Sequence, residues 1–518
     1  MKNMRKIASV LLALVMVFAL AAPVFAAETD ANLSGHTYEA YQIFAGTQAE
    51  NNATLGNITW GDGIDGTAFL TALKADSNIG TIFANCNTAA DVAAAMTGWS
   101  DESDNAMAFA KIAYSHIIED KGIPCENGVT PLNAGYYLVV DVTENVTNSA
   151  YNLALLQLTK KGEFAIANKT DVPEVEKKVK DINDSKDGDF SEWQDSADHD
   201  IFDSVPFQLT ATLASNVSDY NTYKIIFHDT LSAGLTFDEI TKVTVDGKDV
   251  TTGFDVNTAP NEKGGTDLTI TFADVKQQGA TDSSKIVVEY TATLNENANI
   301  GEAGNPNVVY LEYSNNPNWT GSGEPGTPGE PGGEEPEEPT GKTPEDKVIV
   351  FTFKVVANKI HQIGTNEEGK PVYEALVGAG FTLFKLDKES NEYEQIGEEV
   401  TGTQMTTFEW KGLDDGDYKL VETTTPDGYN TIADIYFTIT AEHDVLSDNP
   451  TLTKLEGGDK FSGNVETGAV TGDIENKAGV ELPETGGIGT TMFYIFGAVM
   501  VLGAAVLLVT KKRMSIAE

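Results

Sequence analysis

The sequence predicts a mainly β protein made of tandem β-sandwich domains, the first of which carries added helices. Short runs rich in Val, Ile, Thr, Tyr and Phe recur along the chain and are divided by Gly, Asn and Asp turns, a spacing typical of sandwiches. In the first third, three segments instead carry apolar residues at helical intervals. The predicted helices cover 67–74, 88–97 and 104–119. The predicted strands cover 136–142, 153–158, 204–213, 223–228, 268–272, 286–294, 308–313, 348–357, 381–385, 418–422 and 435–439.

The charge of the chain excludes some classes of function. Its 518 residues carry a formal net charge of -45, with a pI near 4.3, and the acidic residues are spread along the whole length. Such a charge argues against binding nucleic acid or an anionic membrane surface. It fits a solvated protein outside the cell.

Two cysteines, Cys86 and Cys125, lie in the first third of the chain. In an oxidising exterior they could pair, although two cysteines cannot staple a protein of this size. A Cys86–Cys125 disulfide and two independent buried thiols therefore both remain open.

The N-terminus has the order of a secretory signal. Basic residues among the first six precede an apolar run from Ile7 to Ala22. Small residues then offer a cleavage site after Ala26 or Ala27. We therefore assign residues 1–27 to a signal peptide and expect the mature chain to be exported.

The C-terminus combines a short motif, an apolar run and a basic cluster. The motif is Leu482-Pro483-Glu484-Thr485-Gly486, the apolar run extends from about Met492 to Val509, and Lys511-Lys512-Arg513 follow. A stretch of about eighteen apolar residues is just long enough to cross the ~30 Å hydrocarbon layer, and the basic cluster would stay on the cytoplasmic side. We therefore expect a transmembrane helix over 491–510.

This three-part order resembles the cell-wall sorting signal that sortases read in Gram-positive bacteria. The resemblance implies that a sortase cysteine attacks the carbonyl of Thr485, releases Gly486 onward, and passes the new C-terminus to an amine. It also implies a protein that is covalently attached to the cell wall after a transient membrane span. The alternative is an ordinary single-span anchor.

Shifts in composition divide the chain into domains. A Pro/Gly/Glu tract after residue 320 cannot build a core and indicates an extended, charged linker. Near Asn168 to Pro173, strand-like alternation gives way to a polar, lysine-rich passage. The predicted division is a signal peptide at 1–27, a first domain at 28–170, a middle domain at 171–320, a linker at 321–345, a third domain at 346–480 and the sorting signal at 482–518.

Strand alternation places a lysine inside the third domain. Lys359 shares one face of a predicted strand with Phe353, and that face is the apolar one. A buried, unpaired ammonium is costly, so this lysine must pair, deprotonate or react. A neutral amine beside an asparagine carboxamide, with a protonated carboxyl between them, can form an amide and expel ammonia. Asn476 and Glu422 supply these two groups.

A longer pattern surrounds Glu422. The sequence runs Tyr418-x-Leu420-x-Glu422-Thr423-x-x-Pro426-x-Gly428-Tyr429, and Leu376-x-Gly378-Ala379-x-Phe381-x-Leu383 precedes it. This pattern resembles the collagen-adhesin B-type domains of sortase-assembled pilins. The resemblance implies an immunoglobulin-like sandwich in which Lys359 and Asn476 form an intramolecular isopeptide bond with Glu422 as the catalytic acid. The alternative is an ion pair between Glu422 and Lys359 at a strand end.

The middle domain repeats this arrangement with different residues. Lys177 alternates with Val175 and Val179, Asn307 is in phase with a following apolar face, and Asp229 ends a strand before a Gly-Leu turn. With the Pro173-x-Val175-x-Lys177 run and the closing Tyr313-Ser314-Asn315-Asn316-Pro317, this arrangement resembles the second domain of backbone pilins.

The resemblance implies that Lys177 and Asn307 are joined, with Asp229 as the acid. Lys178 and Asn305 remain rivals, because a slip of one residue flips the face of a strand.

The resemblance also implies an intermolecular bond. In backbone pilins a lysine near the end of the first domain attacks the sortase–threonine intermediate of the next subunit, usually within a Tyr-Pro-Lys-Asn-like motif. This chain offers Ala167-Asn168-Lys169-Thr170 at the equivalent place, without the Tyr-Pro pair. Lys169 is therefore the candidate for polymerisation, with Lys160 and Lys161 as alternatives.

The predicted function is that of a structural shaft subunit in a covalently polymerised pilus on the cell surface, not an enzyme. The implied partners are a pilin-type sortase, a housekeeping sortase, further copies of the chain, minor pilins, peptidoglycan and a host or matrix ligand. The alternatives are a monomeric, peptidoglycan-anchored adhesin and, more weakly, a surface enzyme. Because no metal-ligand spacing or phosphate-binding loop stands out, we expect no metal and no cofactor.

Overall fold

The computed structural model describes residues 36–48, 55–100, 103–125, 132–143, 149–151, 153–158, 171–186, 189–317, 340–479 and 488–514. In these ranges strands predominate, as the sequence predicts. The strands form sheets in three successive regions of the chain, and the regions are named below as the first, middle and third domains.

The first domain is an antiparallel sheet flanked by helices. Its strands are β1 Tyr38–Gln48, β2 Leu55–Trp60, β3 Ile123–Cys125, β4 Gly135–Asp141 and β5 Leu153–Leu158, in the order β2-β1-β4-β5, with β3 also on β1. Its helices are α1 Gly66–Ala75, α2 Gly80–Phe83, α3 Ala89–Ala95 and α4 Asp104–Tyr114. Asp65 caps α1 and Ser103 caps α4, which satisfies amide groups that a helix start leaves without partners.

The helices of the first domain bury an aromatic cluster against the sheet. Phe69, Phe83 and Phe109 are fully buried and pack with Phe44 of β1. The helix predicted over 104–119 ends earlier, at Tyr114. A short 3-10 helix, Glu119–Lys121, follows.

The middle domain is a sandwich of two sheets around one large apolar core. One sheet has the order β11-β10-β14-β8-β6, and the other β12-β13-β9-β15-β17-β7, with β16 also on β15. The strands are β6 Glu174–Val179, β7 Ser196–Asp198, β8 Ser204–Thr212, β9 Ile225–Leu231, β10 Leu235–Val245, β11 Lys248–Asp249, β12 Asp255–Pro260, β13 Thr266–Phe272, β14 Lys285–Leu294, β15 Asn305–Ser314, β16 Thr340–Lys342 and β17 Asp346–Phe351. Two 3-10 helices, Val217–Asp219 and Val275–Gln278, lie between strands.

One predicted strand is divided between two domains. The sequence predicts one continuous strand over 348–357, within a third domain that starts at 346. In the structure, β17 covers the first part of this run and pairs with β15 of the middle domain, with Val348 opposite Asn307. The chain crosses to the third domain at Thr352, which is fully buried and donates its hydroxyl to the Leu413 carbonyl at 3.1 Å. Apolar residues alternate in the same way before and after Thr352, so the sequence does not indicate where the chain passes from one domain to the next.

The third domain is a second sandwich, which contains strands β18 to β27. One sheet has the order β19-β18-β27-β26, with β22 also on β18, and the other β21-β20-β23-β24-β25. The strands are β18 Phe353–Thr365, β19 Pro371–Ala375, β20 Gly380–Asp387, β21 Glu392–Thr401, β22 Thr407–Leu413, β23 Gly416–Thr424, β24 Ile435–His443, β25 Leu452–Glu456, β26 Ser462–Asn464 and β27 Ala469–Asn476. The first and last of these strands, β18 and β27, are parallel neighbours.

A helix, α5 Ile488–Met514, covers the segment predicted to be helical near the C-terminus. Within the part of the chain that the structure describes, no helix combines the length and apolarity needed to cross a membrane. The membrane crossing of 491–510 therefore stays a prediction.

Candidate functional site

Lys359, Glu422 and Asn476 meet inside the third domain. Lys359 lies on β18 and Asn476 on the neighbouring β27, whereas Glu422 reaches them from β23 in the facing sheet. Lys359 Nζ is 2.9 Å from Glu422 Oε1, and Asn476 Nδ2 donates to Glu422 Oε2 at 3.3 Å. One carboxyl therefore contacts both the amine and the carboxamide.

The surroundings of Lys359 favour a neutral amine. Burial lowers the pKa of Lys359, against an opposing effect of Glu422, and the Phe381 ring centroid lies 5.0 Å from Nζ. The contact between Nζ and Oε1 lacks the alignment of a hydrogen bond, and among the described residues Nζ and Asn476 Oδ1 have no hydrogen-bond partner. Lowering the pKa of a buried amine favours its neutral form, and a neutral amine near a carboxamide can act as a nucleophile.

Four residues meet at the equivalent place in the middle domain. Lys177 on β6 and Tyr290 on β14 come from one sheet, and Asp229 on β9 and Asn307 on β15 come from the other. Lys177 Nζ donates to Asp229 Oδ1 at 2.6 Å and to Tyr290 Oη at 3.0 Å. Tyr290 Oη donates to Asp229 Oδ2 at 2.6 Å and accepts from Asn307 Nδ2 at 2.7 Å.

This second site is fully buried and largely apolar in its surroundings. Lys177 and Asn307 have no exposed surface, and Asp229 and Tyr290 have almost none. Burial lowers the pKa of Lys177, although Asp229 opposes the shift. Asn307 Oδ1 has no hydrogen-bond partner within the described residues. The two sites therefore share a buried lysine, a carboxyl group and an asparagine whose carbonyl oxygen is unsatisfied.

The geometry separates Lys177 and Asn307 from their rivals. Lys178 is partly exposed and pairs with Asp195. Asn305 is as buried as Asn307, but its Nδ2 donates to the carbonyls of Asn299 and Val350, and its Oδ1 accepts from the Asn299 amide. These contacts satisfy the Asn305 carboxamide through backbone groups.

Sequence reasoning missed Tyr290. Its position in the apolar phase of β14 predicts burial, and it is buried. Its contacts with Lys177 and Asn307 depend on how two sheets face each other, which alternation along one strand does not specify.

A third buried lysine lies where the middle and third domains meet. Lys385 Nζ lies 2.5 Å from Asp200, 3.1 Å from Asp184 and 3.3 Å from Asp414. Burial alone would lower the pKa of Lys385, but Asp414 and the other carboxylates raise it above its ordinary value. A lysine held as a cation is a poor nucleophile, so this contact joins the domains electrostatically.

His443 extends the same junction. Its Nε2 donates to Asp198 Oδ1 at 3.1 Å, and its Nδ1 lies 2.7 Å from Ser196 Oγ, whose hydroxyl donates to the Asp444 carbonyl. Burial would lower the pKa of His443, but Asp181 and Asp198 raise it to about 10. Both ring nitrogens therefore act as donors, and the ring is a cation.

The acidic side chains of this junction are close enough together to resemble metal ligands. The groups are Asp181, Asp198 and His443; Asp184, Asp200 and Asp414; and Asp198, Asp414 and Asp415. The ammonium of Lys385 and the imidazolium of His443 lie among these carboxylates and supply positive charge where a metal ion would otherwise supply it.

Two glycines bring the backbones of the two domains together at another point of the junction. Gly301 and Gly468 have φ of +87° and +61°, and a Cβ on Gly301 would lie 2.4 Å from the Gly468 nitrogen. Any side chain at either position would push the domains apart.

A hydrogen-bonded chain in the first domain was also missed from the sequence. His36 Nδ1 lies 2.6 Å from Asp141 Oδ2, and His36 Nε2 lies 2.7 Å from Ser149 Oγ. The Ser149 carbonyl accepts from Asn315 Nδ2 of the middle domain at 3.4 Å. These contacts tie the start of the first domain to its neighbour.

The cysteines lie in different apolar clusters of the first domain. Cys86 is a buried free thiol among the helices, whereas Cys125 is buried beside β1 and its Sγ lies 3.2 Å from the Ile123 carbonyl. The structure does not form the disulfide that the sequence left open, because its two partners are packed in separate clusters.

Several predicted site residues lie outside the described residues. They are Lys169, its alternatives Lys160 and Lys161, and the sorting motif with Leu482, Pro483, Thr485 and Gly486.

Three family models match parts of the chain. A Gram-positive pilin backbone subunit 2, Cna-B-like domain matches residues 201–317. A prealbumin-like fold domain matches residues 352–451, and an LPXTG cell wall anchor motif matches residues 474–515. The second match begins where the chain crosses from β17 into the third domain.

Curated and solved proteins add further similarity. The trypsin-resistant surface T6 protein of Streptococcus pyogenes serotype M6 is 24% identical over 370 residues, which are 60% of this chain and 64% of that protein. The solved T6 backbone pilin of the same serotype has 17% identity and a TM-score of 0.46, covering 86% of this chain and 96% of its own. The full-length major pilin SpaD of Corynebacterium diphtheriae has 14% identity and a TM-score of 0.43, covering 86% and 93%.

Proposed function

We propose that the chain is a Gram-positive backbone pilin, like the proteins and family models that it matches, and that it is the structural shaft subunit of a covalently polymerised pilus. The anchor motif marks it as an exported protein that is attached to the cell wall. The observation that carries the proposal is the pair of buried sites in successive domains, each with a lysine, a carboxyl group and an asparagine.

Each site is proposed to form one intramolecular isopeptide bond. Lys359 is joined to Asn476 with Glu422 as the acid, and Lys177 is joined to Asn307 with Asp229 as the acid. Each bond closes a loop of more than about 100 residues, for which the chain-entropy model assigns roughly 4–5 kcal/mol. That gain is large beside the ~5–15 kcal/mol stability of a typical domain, and it suits a protein under tension.

Subunits are proposed to be joined between Thr485 of one copy and Lys169 of the next. A pilin-type sortase would make this bond, and a housekeeping sortase would transfer the finished fibre to peptidoglycan. Minor pilins and a host or matrix ligand complete the proposed partners. We propose a first domain at 28–170, as predicted, and a middle domain that starts at 171 and includes β16 and β17. The third domain then starts after residue 351 rather than at 346.

We propose no enzymatic activity on other molecules. Ser149, His36 and Asp141 are hydrogen-bonded in the order of a catalytic triad. However, Asp141 also accepts a hydrogen bond from the Thr143 hydroxyl, and the Ser149 carbonyl accepts one from Asn315 of the middle domain. These contacts support a structural role.

Two measurements test the proposal. Cell-wall extracts boiled in detergent are expected to show a ladder of covalent polymers, whereas a single band would favour a monomeric adhesin. Intact mass of the folded chain is expected to be lower than the sequence mass by about 17 Da for each bond, the mass of one ammonia. A folded chain without any deficit would contradict the isopeptide assignments.

A further inference from the structure

Tyr290 occupies the centre of the middle-domain site. Its Oη is within hydrogen-bond distance of Lys177 Nζ, Asp229 Oδ2 and Asn307 Nδ2, at 3.0, 2.6 and 2.7 Å. We propose that Tyr290 is a catalytic residue of the Lys177–Asn307 bond and carries a proton from Asp229 to the departing nitrogen of Asn307. This inference rests on the proposed function of the site.

Comparison of the two sites explains why a tyrosine is needed in one of them. In the third domain the Glu422 carboxyl touches both the amine and the amide nitrogen, at 2.9 and 3.3 Å. In the middle domain the acid is an aspartate, one methylene shorter, and the structure shows its contact with Asn307 passing through the Tyr290 hydroxyl. The tyrosine therefore extends the reach of the shorter acid.

The proposed step balances in atoms and protons. A proton first passes from the Lys177 ammonium to Asp229, which leaves a neutral amine and a carboxylic acid. The amine attacks Cγ of Asn307, and its excess proton passes to Asp229 as Asp229 gives a proton to Tyr290 and Tyr290 gives one to Nδ2. The Nζ–Cγ bond forms, the Cγ–Nδ2 bond breaks, and ammonia leaves. Tyr290 ends the step as it began.

The surroundings of Tyr290 suit a relay of this kind. Its ring stacks on Phe207 with centroids 5.3 Å apart, which fixes the direction of the hydroxyl. Burial and the neighbouring Asp229 raise the pKa of Tyr290 well above its ordinary value, so the group keeps its proton at neutral pH and exchanges it only in a concerted transfer.

The test is the rate of bond formation in the full chain carrying Tyr290→Phe. This change keeps the ring and its stacking and removes only the hydroxyl. Bond formation is followed by the mass of the peptides that contain Lys177 and Asn307, while the Lys359–Asn476 peptides of the same molecule report the third-domain reaction. Tyr313→Phe, which removes another buried tyrosine hydroxyl from the same core, is the matched control.

We expect the Lys177–Asn307 bond to form at least ~10²-fold more slowly in Tyr290→Phe, the low end of the range for a lost acid–base group. The third-domain bond and the Tyr313→Phe control should keep the wild-type rate. Formation of the middle-domain bond at the wild-type rate in Tyr290→Phe would overturn the role of Tyr290 and leave the bond itself intact. Absence of that bond from the wild-type chain would instead contradict the proposed function of the site.

A double variant provides a second test of the role of Tyr290. Asp229→Glu in the Tyr290→Phe background lengthens the acid to that of the third domain, where one carboxyl contacts both reacting groups directly. A restored mass deficit in the Lys177–Asn307 peptides supports the proposal. A folded double variant without the bond overturns it.

Discussion

Lys359 Nζ lies 2.9 Å from Glu422 Oε1 with both side chains shielded from solvent. An ion pair in such a place pays a desolvation cost that its attraction often fails to recover. The arrangement fits the proposed isopeptide reaction, in which the amine becomes an uncharged amide and the acid can hydrogen-bond to that amide.

Glu422→Gln is expected to abolish the third-domain bond, because the amide of glutamine cannot take the proton of the amine. The deficit of about 17 Da against its own sequence mass should be absent from the variant's third domain, and its thermal midpoint should fall by ~10 °C or more. Glu398→Gln, the same change at an exposed position of β21, should leave the deficit and the midpoint unaltered. Retention of the mass deficit in Glu422→Gln would contradict the assigned role of Glu422.

Lys177→Ala and Lys178→Ala should behave differently although the residues are adjacent. Lys177 contacts Asp229 and Tyr290 in the core, so its loss should remove the middle-domain mass deficit. Lys178 makes a partly exposed ion pair with Asp195, so its loss should keep the deficit and cost only about 1 kcal/mol. Mass spectrometry of the two variants checks this, and the opposite result would place the bond on Lys178.

Asn305→Ala and Asn307→Ala provide the matching comparison on β15. Both side chains are fully buried, so both variants should be less stable in denaturant. Only Asn307→Ala should lose the mass deficit, because the carboxamide of Asn305 is engaged by Asn299 and Val350. A lost deficit in Asn305→Ala, with the deficit kept in Asn307→Ala, would reverse the assignment.

The junction of the middle and third domains should weaken as the pH rises. Because the folded-state pKa of His443 is raised from 6.5 to about 10, its stabilisation is complete below about pH 6.5 and is lost between that value and about 10. Burial raises the pKa of Asp415 from 3.8 to about 7, so its effect is a loss of stability as the pH rises between those two values, mostly below the window of His443. The other titratable groups that the structure places at this junction are Asp181, Asp184, Asp198, Asp200, Asp414 and Lys385.

Thermal melts from pH 6.5 to pH 10 measure this effect. We expect the wild-type midpoint to fall across the window and the His443→Gln variant to show a flatter profile. Asp198→Asn should flatten it as well, because Asp198 is one of the carboxylates that raise the pKa. An equally steep fall in His443→Gln would show that other groups govern the junction.

Lys169→Ala is expected to abolish covalent ladders while leaving attachment to the cell wall intact. Wall attachment should persist because it depends on the sorting motif at Thr485 and needs no lysine of a second subunit. Detergent-resistant ladders on gels, with Lys160→Ala and Lys161→Ala as controls, provide the measurement. Ladders that persist in Lys169→Ala and vanish in one of the controls would identify that lysine instead.

Alternation along single strands predicted the inward direction of Lys359 and Lys177, and both are fully buried. It could not predict Tyr290 as a member of the site, because its contacts join residues far apart in the sequence. Alternation also could not predict that the chain passes from the middle to the third domain at Thr352, because the apolar pattern continues on both sides of that residue. Most of β18 beyond Lys359 and the whole of β19 are exposed on both faces, so they lack the periodic pattern that identifies a half-buried strand.

The chain leaves the middle sheet after β15 and returns to the same strand as β16, with residues 318–339 between them. The Pro/Gly/Glu tract therefore connects two strands of one sheet, and the backbone crosses from the middle to the third domain at Thr352. Because β15 and β16 pair with each other on either side of the tract, lengthening the tract is expected to leave the junction of the two sandwiches in place.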